Sequence, residues 1–102
     1  MEMIYFQIIS AVGMARSMFI EAIQKAKVGD FEAAFKCMEE GNEYFIEGHQ
    51  AHAKLIQKEA SGNKLEFTLI LVHAEDQFMS AEAFKILAKE FIDVYKRIEE
   101  VT

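Results

Sequence analysis

No proline occurs among the 102 residues, so nothing forces a break in a helix and long uninterrupted helices are open to the chain. A loop-rich fold is correspondingly disfavoured. Cys37 is the only cysteine, which excludes an internal disulfide and leaves nothing that points to an oxidising compartment. Basic residues are scarce: 11 Lys and Arg stand against 17 Asp and Glu, for a formal net charge of -6. A general binder of nucleic acid or of anionic membrane needs a basic face to engage phosphates, and this chain has no surplus to build one. The acidic balance suits basic partners. No basic segment precedes the apolar residues of MEMIYFQIIS, and that stretch reads as too short and too interrupted to span a bilayer. The expectation is a cytoplasmic protein without direct membrane insertion. Also missing are a Gly-rich phosphate loop, a Cys-x-x-Cys pair, a serine in a nucleophile motif, an internal repeat and any linker-like segment.

What the chain has in quantity is apolar material, 52% of its residues, enough for a sizeable core in one domain spanning 1–102. From about residue 4 to 28, Ile8, Val12, Ala15, Phe19, Ala22 and Ala26 recur at spacings of four and three, the seam of an amphipathic helix. Gly29 can adopt a left-handed cap, and Asp30 can accept from the first free amides of a following helix. A second helix is expected over 31–60, with Phe35, Met38, Asn42, Phe45, His49, His52 and Ile56 along one seam. Gly41 and Gly48 lie on one side of it, each costing about 1 kcal/mol of helix propensity, a cost best explained by close approach of another helix. Ser61 to Lys64 form the second break, with Gly62 as cap. A third helix is expected over about 65–100, its second half laying Phe84, Leu87, Phe91, Val94 and Ile98 on the core. Short turns make neighbours antiparallel, so the fold class is an all-α, up-down-up three-helix bundle.

The stretch LILVHAEDQFM, Leu69 to Met79, carries the chemistry. Leu69, Ile70, Leu71 and Val72 would cover every side of a helix, more than one core requires, so something beyond the chain itself is expected to cover part of it. His73 shares a helix face with Asp76 and Gln77, whereas Glu75 points away. One reading is a core histidine satisfied by polar neighbours. The other is a reactive imidazole, poised near neutral pH with two distinct nitrogens. If the second turn falls at residues 62 and 63, His73 lies level with roughly residue 52. His49 and His52 facing His73 and Asp76 could then hold a metal, one per protomer. Arg16 levels with Glu43 and Glu82, about 10 to 15 Å from the height of His73, which suggests a structural ion pair. Cys37 has no motif around it and reads as a buried, inert thiol.

GMARSMFIEAIQKAKVGDFEAA, LIQKEASG and above all LVHAEDQFM give the chain a wider resemblance. In order and spacing it resembles, over nearly its whole length, the lactose/cellobiose-type IIA component of the bacterial phosphoenolpyruvate-dependent sugar phosphotransferase system. The resemblance implies a homotrimer of three-helix subunits. It implies that His73 accepts a phosphoryl group from the histidine-containing phosphocarrier protein and passes it to a cysteine of the sugar-specific IIB component. Uptake of a beta-linked disaccharide such as lactose or cellobiose would follow through the membrane IIC component. It further implies that Asp76 clusters with its symmetry mates on the trimer axis, where a divalent cation such as magnesium offsets their repulsion. Gln77, one turn from His73, is the internal donor best placed for a phosphoryl oxygen. The chain departs from the family's usual pattern at Glu75, commonly glutamine; at Gln77, commonly a second histidine; and at His52 and Ala53, commonly Gln-Thr. His52, if close to the site, could take over part of the missing histidine's role. The competing readings are a metal-binding bundle on His49, His52, His73 and Asp76, a scaffold module without chemistry, and a diverged regulator of the same fold.

Overall fold

The computed structural model describes residues 2–102. Three helices, α1 (Glu2–Lys27), α2 (Phe31–Ala60) and α3 (Leu69–Val101), form an up-down-up bundle, with no strand among the described residues. Both turns use the expected glycines. Gly29 has φ +83°, and the amides of Gly29 and Asp30 donate to the carbonyls of Ala26 and Lys25 at 3.0 and 2.9 Å. Gly62 has φ +97° and repeats the pattern, with Gly62 and Asn63 donating to Glu59 and Lys58. Such paired bonds satisfy carbonyls that a helix end leaves open, and the positive φ is one that only glycine adopts without strain. Asp30 then caps α2 by accepting from the amide of Ala33.

Helix three starts later than the expected residue 65. Residues 63–68 are not helical, and Thr68, with extended backbone, accepts from the Leu71 amide at 3.2 Å. A threonine hydroxyl is a good N-cap, whereas Lys64, the cap position of a helix starting at 65, offers no side-chain acceptor.

Around their axes, α2 and α3 sit differently from the expected seams. On α1 the seam is as expected, with Ile8, Val12, Ala15, Phe19, Ala22 and Ala26 all buried. On α2 the buried residues are Ala34, Cys37, Gly41, Phe45, Gly48, Ala51 and Leu55; Phe35, His49 and Ile56 are exposed, and Met38, Asn42 and His52 half-buried. The glycines decide this rotation. A Cβ at Gly41 would lie 2.6 Å from the Phe19 ring, and one at Gly48 2.5 Å from Val12 Cγ1, so α1 packs directly on the α2 backbone there. On α3 the buried stripe is Leu71, Ala74, Phe78, Ala81, Ala88 and Ile92. Leu87, Phe91, Val94 and Ile98, expected on the core, are each 44–50% exposed, and Phe84 alone of that set packs against it. Ala74, Ala81 and Ala88 let α3 approach α1 closely, and Leu87, Phe91, Val94 and Ile98 are left outside.

Helix α1 packs along both partners, while α2 and α3 touch each other little. By length and composition α1 is apolar enough to cross a membrane, contrary to the expectation for its first residues; a third of that apolar stretch is buried in the bundle. The molecule is a rod of 57 × 21 × 16 Å with a radius of gyration of 16.2 Å. A compact domain of this size would have about 13 Å.

Candidate functional site

His73 stands in the second turn of α3, with its neighbour Ala74 fully buried and its own side chain exposed. No hydrogen bond, ion pair or ring contact joins it to another described residue. The core-histidine reading therefore fails: this imidazole is open. Because α3 begins at Leu69, His73 is not a mid-helix residue. Its side chain leans toward the helix N-terminus, over a turn whose first amides lack helical partners and which carries the positive end of the helix dipole. The sequence reading, with its helix starting at 65, missed this; the Thr68 hydroxyl was the signal that could have shown it.

Asp76 is exposed and likewise has no partner among the described residues; Gln77 is half-buried beside it. At about 100° per residue, Asp76 lies about 60° around α3 from His73, and Glu75 about 100° further in the same direction. Between His73 and Glu75 runs an exposed apolar stripe, with Leu69 86%, Val72 51% and Met79 65% exposed, and Asp76 within it. The run from Leu69 to Val72 is thus only half covered by its own chain, since Leu71 is buried and Ile70 half-buried.

Glu75 faces α2. Its Oε1 lies 2.7 Å from His52 Nε2. A carboxylate can only accept, so Nε2 carries the proton of this bond. The His52 ring stacks on Phe78 with centroids 4.4 Å apart, and Phe78 stacks in turn on Phe45 at 5.5 Å. His52 and Glu75, on different helices, are therefore in contact. His52 does not join His73, which lies on the opposite flank of α3. His49 is exposed, with its ring near Phe45 and Phe78. No three His, Cys, Asp or Glu side chains among the described residues gather to hold a metal, so the four-ligand site within one protomer is not formed.

Arg16 makes no ion pair with Glu43 or Glu82; its Nη1 donates to Ser80 Oγ at 3.3 Å. Ser80 lies two turns beyond His73 on the same flank, about 10 Å along the axis. Cys37 is buried as expected, and burial, with the Glu21 and Glu40 carboxylates nearby, raises its thiol above the usual range.

The chain matches the family model described as "PTS system, Lactose/Cellobiose specific IIA subunit" over residues 3–96. It is 45% identical over 100 residues to the lichenan-specific phosphotransferase enzyme IIA component of Bacillus subtilis (strain 168), covering 98% of this chain and 91% of the relative. The crystal structure of the PTS cellobiose-specific enzyme IIA from Bacillus anthracis superposes with a TM-score of 0.94 at 44% identity, covering 96% of this chain and 90% of that one. The solution structure of the IIA(chitobiose)-HPr complex of the Escherichia coli phosphotransferase system gives 0.82 at 32% identity, covering 96% and 95%. Bundle and relatives together define the class, a IIA component of a sugar phosphotransferase system. Within that class the chain belongs to the lactose/cellobiose-specific IIA family.

Proposed function

We propose that this protein is a phosphocarrier that takes a phosphoryl group onto His73 from the phosphohistidine of the small carrier protein and hands it to a cysteine of a IIB component. The observation that carries the reading is the exposed imidazole of His73 in the second turn of α3, without a partner among the described residues. The chemistry needs little more than this. A lone pair of neutral His73 attacks phosphorus in line; the N–P bond to the carrier's imidazole breaks as the new one forms, the proton of the other His73 nitrogen is released, and the departing ring takes one up. Such transfer depends on positioning and on offsetting the charge of the equatorial oxygens. Gln77, one turn along, can donate an amide N–H to one of those oxygens. The phosphoramidate is labile enough for onward transfer, here to a thiolate.

The upstream partner is supported by the relative solved in complex with HPr. The sugar, a beta-linked disaccharide of the lactose or cellobiose type, is bound by the membrane IIC component, and the protein works in the cytoplasm.

Three copies pack about the exposed stripe of α3. Leu69, Val72, Met79 and Ile86 recur along it at heptad-like spacing, the pattern of a helical seam that buries itself against its own copies. Asp76 falls in that seam. One hard carboxylate donor per copy, without a partner among the described residues, fits a divalent cation such as magnesium shared by three copies, which would offset the repulsion of like charges.

The test is phosphorylation in the presence of phosphoenolpyruvate, enzyme I and the carrier protein, read by intact mass. One acid-labile phosphoryl group per chain is expected, lost in His73→Gln. An unphosphorylated wild-type chain beside an active relative would overturn the reading.

A further inference from the structure

Three features of the molecule are not used by the transfer so far described: the Arg16–Ser80 hydrogen bond, the cluster of Lys96 over Phe31 and Phe35 at the far end, and the His52–Glu75 pair. The last reaches furthest, because of where it stands relative to the exposed stripe of α3. His73 lies on one flank of that stripe and Glu75 on the other, at nearly the same height, since two residues climb about 3 Å. A closed ring of three copies is built from a heterologous contact, in which one flank of each copy meets the opposite flank of the next. In the proposed trimer, with the stripe on the axis, the flank bearing His73 in one copy would therefore meet the flank bearing Glu75 and His52 in its neighbour.

A carboxylate on that wall opposes the arrival of an anionic phosphoryl group unless it is held back. Here it is held. The 2.7 Å hydrogen bond from His52 ties Glu75 to α2, and the stack on Phe78 fixes the His52 ring in turn. We propose that His52 is a positioning residue for phosphoryl transfer, tethering Glu75 away from His73 of the adjacent copy. The proposal rests on the phosphocarrier reading and on its three-fold assembly. It assigns His52 no contact with the phosphoryl group.

The test measures the initial rate of His73 phosphorylation in the assembled protein, for wild type, His52→Ala, Glu75→Gln and the double variant. His52→Ala frees the carboxylate and should slow the reaction about three- to tenfold, the size expected of one exposed charge several ångströms from phosphorus. That defect should shrink as ionic strength rises, which a merely structural defect would not do. Glu75→Gln in the His52→Ala background should restore the wild-type rate. A His52→Ala protein as fast as wild type, or a double variant as slow as His52→Ala, would overturn the tether. So would Glu75→Gln alone being slow, since the carboxylate would then be a working group.

If His52→Ala fails to assemble, His52→Gln serves instead. It keeps an amide donor toward Glu75, so its defect should be smaller, and Glu75→Gln should again remove it; a defect that survives Glu75→Gln counts against the tether. Mixed assemblies test the subunit crossing. An excess of His73→Gln copies, which keep the tether but cannot be phosphorylated, should raise the rate per His73 of His52→Ala copies toward wild type. No rise would show that the pair does not act on its neighbour. Failure of the underlying reading looks different, because wild type itself would then carry no phosphoryl group.

Discussion

A side chain's reactivity here follows from whether its environment leaves it open or closes it off, and the two residues of obvious chemical potential fall on opposite sides of that line. His73 is exposed and has no partner among the described residues, whereas Cys37 is buried, with burial and two nearby carboxylates raising its thiol. Only the thiolate reacts with an alkylating agent, so a raised pKa leaves less of the reactive form at neutral pH. Iodoacetamide should modify Cys37 at well below the rate of a free thiol at pH 7.5, and denaturant should restore the ordinary rate; fast labelling of the folded protein would contradict the burial. At this scale the candidate site was legible only in part. His73, Asp76 and Gln77 share a face in any helix, so their grouping could be read from spacing. The partnership of Glu75 with His52 could not, because it needs the levels and the rotation of two helices. Counting from the turn levelled residue 52 with His73, two residues short of the pairing found, since the non-helical segment 63–68 was not foreseen.

At the scale of the element, the two glycine turns and the face of α1 were legible, whereas the start of α3 and the inward faces of α2 and α3 were not. Gly29, Asp30 and Gly62 mark their turns by local chemistry, which sequence carries directly. Which side of α2 and α3 turns inward depends on small residues. The eye follows Phe, Leu and Ile, but the helices meet at Gly41, Gly48, Ala74, Ala81 and Ala88, where backbones can approach. This can be tested with alanine. Gly41→Ala and Gly48→Ala each gain about 1 kcal/mol of propensity. Each also drives a Cβ to 2.6 or 2.5 Å from Phe19 or Val12, and overpacking of that kind costs about 1–3 kcal/mol. Both should be destabilising on balance in urea unfolding. Gly13→Ala, with nothing within 4 Å of its Cβ, should instead stabilise by up to about 1 kcal/mol. If all three were stabilising, propensity rather than packing would govern these positions.

As a whole, the molecule is a rod with an exposed apolar stripe, Leu69, Val72, Met79 and Ile86, along one side of α3. Three copies joined along that side would turn an open surface into a second core. Sedimentation equilibrium should give a mass near three times 11.7 kDa. Met79→Asp, placing a charge on a seam position 65% exposed in the single chain, should shift the mass toward the monomer. A trimer unmoved by that change would put the contact elsewhere. The rod also has two unlike ends. His73 lies in the second turn of α3, at the end shared with the start of α1, while the last turn of α3 lies beside the first inter-helix turn, with Glu99 Oε2 3.4 Å from where a Cβ on Gly29 would stand. A reporter attached at Val101, 85% exposed, would ride some 40 Å from the transferring imidazole, given about 1.5 Å per helical residue. The fold thus supplies a handle at which the protein can be labelled or tethered to a surface while the opposite end stays free to meet its partners.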